Sequence, residues 1–203
     1  MCIRDSVWAD FTKGHPIPTC ASAVRSRAVY FPGSTVGNFN RSDAASLLET
    51  FGSMIREQAD DEQGGAAGAV VVGFDCKKDQ GRMEAAYNDA EGITAEFNYN
   101  VIDRLASELG VGLDRDKFSF RADWVEDEGA IVSRLWVDES HTVEMAGDVV
   151  TFEAGEAIRM EESHKYTPDE FETLALESGL GLEKIWTDEA ADFAVACLRP
   201  LSV

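Results

Sequence analysis

The 203-residue chain predicts an α/β fold interrupted by a smaller α+β lobe. Three observations carry that expectation. Residues 28–74 run strand, helix, strand, as a parallel crossover unit does. Between Phe118 and Glu162 the hydrophobic period falls to two, as in an antiparallel meander. After Lys165 a capping-box helix and two short strands restore the first pattern.

In order, Val7–Asp10 is predicted as a buried strand ending in a turn, and Ala28–Phe31 as a second strand. The segment between them is loop chemistry, with Gly14, Pro16, Pro18 and Ser22. A helix is predicted from about Arg41 to Gln58, because Leu47, Leu48, Phe51, Met54 and Ile55 share one face; Asn40 or Ser42 can cap it. Ala69–Phe74 is a continuous apolar run suited to a strand covered on both faces. Helices follow at Arg82–Asn88 and Ile93–Leu109, the second burying Phe97, Val101, Leu105 and Leu109. Strands are expected at Phe118–Val125, Ala130–Val137, His141–Met145, Val149–Phe152 and Ala157–Glu161. Thr167-Pro168-Asp169-Glu170 opens a helix that ends near Gly179, and strands at Glu183–Trp186 and Phe193–Leu198 finish the chain. The predicted division is residues 1–77, an inserted lobe at 78–165, and 166–203.

Charge and composition exclude several classes. With 38 acidic and 18 basic residues the net charge is −20, which repels phosphate backbones and anionic bilayers, so neither nucleic acid nor a membrane is an expected partner. No apolar run reaches the roughly 18 residues of a membrane span. Four cysteines without Cys-x-x-Cys spacing predict free thiols in a reducing cytoplasm. His15, His141 and His164 lie far apart without ligand spacing, so no metal is expected. There is no Gly-x-Ser-x-Gly elbow and no Walker A loop. Met1–Ser6 carries neither cap nor amphipathic period yet leads straight into an apolar strand, so the chain is expected to be truncated at its front.

The informative stretch is Tyr30–Asn40, YFPGSTVGNFN. Pro32 and Gly33 turn the chain at a strand's carboxyl edge, where open α/β sheets bind ligands. Gly33 and Gly37 would admit close backbone approach, and Asn38 both donates and accepts. A plain strand-to-helix turn explains the same residues equally well. Asp10 and Phe11 also end a strand. Asp10 could accept from an adenine amine with Phe11 beside the ring, although capping a turn is the commoner task of an aspartate.

At these residues the sequence resembles the S-adenosylmethionine-dependent histidine Nα-methyltransferases of ergothioneine biosynthesis. FPGSTVGNF is joined by FDCKKD at 74–79, AAYNDAEGITAEFNYN at 85–100, EESHKYTPDEF at 161–171 and WTDEAADFAVACL at 186–198. The likeness spans nearly everything after Ser6.

The resemblance implies a partial Rossmann-like class I methyltransferase core with an inserted α+β substrate-binding lobe. The expected methyl donor is S-adenosyl-L-methionine, and the expected substrate is L-histidine, trimethylated to hercynine by a protein that is monomeric when complete. Asp10 and Phe11 match adenine-side cofactor contacts. Gly33 and Asn38 match positions that hold the amino-acid end of the substrate, Tyr87 matches a tyrosine that binds its carboxylate, and Glu161 and Ser163 match the pair that recognises the imidazole. No catalytic base is assigned. Ser133 stands where members of the family tend to have a larger residue, methionine in some, beside the substrate. The glycine-rich cofactor loop and the ribose-binding acid belong before Asp10 and have no counterpart here, so the chain alone is expected to bind the cofactor weakly and turn over little. A methyltransferase for another, tryptophan-like amino acid and a non-catalytic amino-acid-binding module are the alternatives.

Overall fold

The computed structural model describes residues 6–13, 26–56 and 68–201. In chain order its elements are β1 (Ala28–Phe31), α1 (Arg41–Arg56), β2 (Ala69–Asp75), α2 (Gln80–Tyr87), α3 (Ile93–Leu109), β3 (Phe118–Val125), β4 (Ala130–Val137), β5 (His141–Met145), β6 (Asp148–Phe152), β7 (Ala157–His164), α4 (Pro168–Glu177), β8 (Leu180–Thr187) and β9 (Phe193–Pro200). They divide into two compact units, Met1–Lys77 with Lys165–Val203, and Lys78–His164. Lys165 falls in the first unit rather than in the lobe, its ammonium 2.9 Å from the Asp75 carboxylate.

The first unit is a four-stranded sheet in the order β1-β2-β9-β8, with β1 and β2 parallel and the other pairs antiparallel. Val70, Val72 and Phe74 of β2 stand in register with Leu198, Ala196 and Ala194 of β9. That row is fully buried under Leu47, Leu48, Phe51 and Ile55 of α1 and Phe171 and Leu174 of α4. Phe74 and Phe171 stack with ring centroids 4.0 Å apart. β2 therefore alternates, with Val71 only half-buried, rather than being covered on both faces. The reason is that α1 and α4 pack into one cluster on the same side of the sheet. Asn40 starts α1 reciprocally: its side chain accepts from the Asp43 amide at 2.9 Å and donates to the Asp43 carboxylate at 2.7 Å. The capping box of α4 forms as expected, and Gly179 takes φ +71° just beyond it.

Val7–Asp10 is not a strand. It is extended chain entering a 3-10 turn at Phe11–Lys13, and Trp8 is wholly exposed. Apolar residues alone do not make a strand, and no ladder partner for this run lies among the described residues. The Gly14–Ser22 loop, Cys2, Cys20 and His15 lie outside the described residues. Cys76 and Cys197 are free thiols.

The second unit holds a three-stranded antiparallel sheet, β3-β4-β7, and a separate β5-β6 hairpin. β7 runs on to His164, so Glu161, Glu162 and Ser163 lie within a strand rather than at its solvated end. α3 has the expected limits but a different buried face. Asn98 and Ile102 are buried, Tyr99 and Leu105 pack against the core, and Phe97, Val101 and Leu109 are exposed. Four-residue spacing advances about 40° per step around a helix of 3.6 residues per turn, so residues 97, 101, 105 and 109 wind off any single face.

Two changes test this architecture. Phe171→Ala, which empties the stacked centre of the first core, is expected to cost about 3–5 kcal/mol in denaturant unfolding. In the second unit the Asp89 carboxylate accepts from the Thr94 and Ile93 amides at the start of α3, at 2.9 and 2.8 Å. These donors, with the Thr94 hydroxyl, hold its carboxyl below the usual range. A depressed folded pKa makes the contribution complete above the ordinary value of about 4, and lost as pH falls through the lower folded value. Asp89→Asn should therefore flatten the acid side of the stability–pH curve while lowering stability at neutral pH.

Candidate functional site

In the first unit the turn after β1 is built from two consecutive left-handed residues, Gly33 at φ +75° and Ser34 at φ +59°. Ser34 tolerates this because its hydroxyl accepts from the Asp75 amide at 2.9 Å, and its carbonyl accepts from Gly37 N–H at 2.9 Å. A Cβ on Gly33 would meet nothing within 4 Å, so conformation, not crowding among the described residues, calls for glycine there. Gly73 differs: a Cβ would lie 2.9 Å from the Phe193 ring. Asn38 ends a 3-10 turn at Thr35–Asn38 and is exposed, its amide group without a side-chain partner among the described residues.

Asp10 does cap a turn. Its Oδ1 accepts from the Thr12 amide at 3.1 Å and the Thr12 hydroxyl at 2.6 Å, and Lys13 Nζ lies 3.2 Å from Oδ2. The Thr12 donors, with Lys13, keep the carboxyl ionised below its usual range. A carboxylate offers about four acceptor sites, so one remains for a further donor. Phe11 is 42% exposed and packs at 5.7 Å on Phe31 and edge-on to Phe39 at 6.3 Å. A cavity of about 280 Å³ lined by Thr12, Phe39, Asp43, Ser46 and Leu47 opens beside this cluster.

In the second unit, Tyr87, the last residue of α2, places its hydroxyl 2.8 Å from the buried Ser163 hydroxyl. Glu161 lies two residues back on β7 and therefore on the same face. The register sets Ala122, Ser133 and Glu161 side by side across the sheet, with Trp124, Ile131 and Ser163 as the next row. Ala122 and Ser133 are small and buried, which leaves room beside the carboxylate. Glu161 is half-buried and has neither hydrogen bond nor ion pair among the described residues.

Its neighbour Glu162 is the reverse case. On the opposite face it sits 2.8 Å from Arg159 and 3.0 Å from His164 Nε2, while Arg159 also pairs with Glu128. Burial resists ionisation of Glu162, but Arg159 and His164 outweigh it and hold the carboxyl below the usual range. One acidic side chain is thus bound into structure, and the next is left open. The structure brings Tyr87 and Ser163 into contact within the second unit, and within the first it sets Phe11 in one aromatic cluster with Phe31 and Phe39, next to the turn that Asp10 caps. Sequence reading missed Glu84, Asn88 and Tyr99, which hold the backbone of β3; a Tyr-Asn pair closing a helix is the faint signal for Asn88.

A family model described as a SAM-dependent, histidine-specific methyltransferase matches residues 4–200. The chain belongs to that family. It is 37% identical over 175 residues to the histidine N-alpha-methyltransferase of Mycolicibacterium smegmatis, covering 85% of this chain and 52% of that protein. The protein of the same name from Mycobacterium tuberculosis is 32% identical, covering 84% and 51%. Ergothioneine biosynthesis protein 1 of Neurospora crassa is 30% identical over 80% of this chain and 18% of its own length. The chain thus spans about half the length of the bacterial relatives. Among solved structures, a S-adenosylmethionine-dependent methyltransferase from Clostridium acetobutylicum aligns with a TM-score of 0.43 at 8% identity, over 96% of this chain and 63% of that one.

The first unit offers features that fit the adenine end of such a cofactor: the open acceptor site on Asp10, the uncovered face of Phe11, and the adjoining cavity. Among the described residues, no three His, Cys, Asp or Glu side chains gather as a metal ion would need, and no helix is long and apolar enough to cross a membrane. Gly33→Ala tests the turn: forcing alanine into the left-handed region is expected to cost about 1–2 kcal/mol, measured by thermal or denaturant unfolding.

Proposed function

We propose that this chain carries the substrate-recognition residues of a methyltransferase that transfers methyl groups to the α-amino nitrogen of L-histidine, through three rounds, to give hercynine. The observation that carries the proposal is Glu161, a half-buried carboxylate without a partner among the described residues, two residues along one strand face from the Tyr87–Ser163 hydroxyl pair. An acceptor left open in this way suits a ligand N–H. Glu161 accepts from one imidazole N–H, and the Ser163 hydroxyl donates to the other nitrogen of the neutral ring or accepts from it in the imidazolium. Tyr87 turns its single O–H, which donates to Ser163 here, to the substrate carboxylate. An apolar side chain in place of imidazole would leave the half-buried Glu161 carboxylate without that donor, which penalises it strongly.

S-Adenosyl-L-methionine supplies an electrophilic sulfonium methyl when bound. Asp10 and Phe11 are proposed to take its adenine through one hydrogen bond and ring contact. The substrate amine attacks as the neutral base, so the protein's task is chiefly to hold it in line and away from water. No general base is assigned in this reading.

The test is mass spectrometry of histidine incubated with S-adenosylmethionine and the protein, both as this chain and extended to the length of its relatives. Mono-, di- and trimethylated histidine are expected from the extended form. Preferential methylation of tryptophan, or no methylated product, would overturn the assignment. In the active form, Glu161→Leu is expected to lower histidine turnover at low substrate roughly 10- to 100-fold, the loss of one charge-assisted hydrogen bond. Unchanged turnover would remove Glu161 from the imidazole site.

A further inference from the structure

β3 is one edge of the β3-β4-β7 sheet, and side chains take five of its backbone groups. The Tyr99 hydroxyl donates to the Phe118 carbonyl at 3.2 Å and accepts from the Phe120 amide at 3.0 Å. Asn88 Nδ2 donates to the Ala122 carbonyl at 2.7 Å, while its Oδ1 accepts from the Ala122 amide at 3.0 Å. Glu84 Oε1 accepts from the Trp124 amide at 3.0 Å.

Among these, Asn88 is distinctive. It matches both groups of a single residue, as a neighbouring strand would. Only one orientation of its amide can do so, since the flipped form would set donor against donor and acceptor against acceptor. The same Nδ2 also reaches the Glu84 carbonyl at 2.9 Å, closing the last turn of α2. Asn88 directly follows Tyr87. Its amide therefore fixes the helix end that carries the Tyr87 ring onto Ala122 and Ile131 and its hydroxyl to Ser163. Met83, Ala122 and Ile131, with Tyr87 packed against them, form only a small cluster, and apolar contact of that kind tolerates sliding where a two-point hydrogen bond does not.

We infer that Asn88 is a positioning residue for substrate binding: its two-point clamp on Ala122 sets where the Tyr87 hydroxyl stands against Ser163. This inference rests on the proposal that Tyr87 and Ser163 bind the substrate. Asn88 itself touches no substrate in this scheme and acts through Tyr87.

A double-mutant cycle tests it, with histidine affinity measured by calorimetry on the folded chain and on its extended form. Tyr87→Phe should weaken histidine binding, and Asn88→Ala should weaken it roughly tenfold, the effect of one or two well-aligned hydrogen bonds. If Asn88 acts through Tyr87, Asn88→Ala should cost less than about twofold in the Tyr87→Phe background, a non-additivity that simple destabilisation would not produce. Unchanged affinity in Asn88→Ala, or full additivity, would overturn the inference while leaving the site intact. Unchanged affinity in Tyr87→Phe would instead defeat the site assignment, and the inference with it. Should Asn88→Ala fail to fold, amide exchange in the unaltered protein still decides: the Ala122 amide should be protected like the inner amides of β3, and exchange at the rate of an open edge would show that the clamp does not form.

Discussion

A strand at the edge of a sheet must find partners for every second N–H and C=O, and in the second unit that requirement is met by Glu84, Asn88 and Tyr99. Much else depends on this. Hydrogen bonds to fixed backbone positions give α2 and α3 a register against the sheet that apolar packing alone would leave loose. β3 in turn holds β4 along its whole length, and β4 holds β7, the strand that carries Glu161 and Ser163. Tyr87 and Ser163, 76 residues apart in sequence, meet because every step in that chain of pairing has its partners.

The first unit works under a different constraint. Its helices bury one row of the sheet completely, and after β1 the chain turns sharply at Gly33 and Ser34 before the 3-10 turn Thr35–Asn38 leads to α1. Two left-handed residues make the turn, one a glycine and the other a serine whose hydroxyl is tied to Asp75. Asp10 is tied down in a similar way by Thr12 and Lys13. In both places a short polar side chain accepts from backbone amides.

Glu161 and Glu162 show why adjacent identical residues can serve opposite ends. Strand geometry sends them to opposite faces. One face offers Arg159 and His164, which bind Glu162 into a network; the other offers the small residues Ala122 and Ser133, and Glu161 stays open. The same alternation places Ser163 on the side of Tyr87.

Much of this was legible in the sequence. Local signals marked α1 through its apolar stripe, α4 through the Thr167–Glu170 capping box, and the meander through its period of two, because each depends on residues a few positions apart. Family motifs named Tyr87, Glu161 and Ser163 before their surroundings were known. Sequence alone went astray at Val7–Asp10, where apolar character suggested a strand, and on α3, where apolar residues four apart were assigned to one buried face. Residue chemistry without the family motifs does not tell Glu161 from Glu162, and the sequence shows Asn88 only as a helix end. Those outcomes are decided by tertiary packing: whether a ladder neighbour exists, which side of a helix meets the sheet, and which face of a strand meets another element. The sequence by itself determined local conformation and residue chemistry. Only the tertiary structure decided which polar groups are already satisfied and which are left for a ligand, because hydrogen-bond satisfaction belongs to pairs of residues and not to either one.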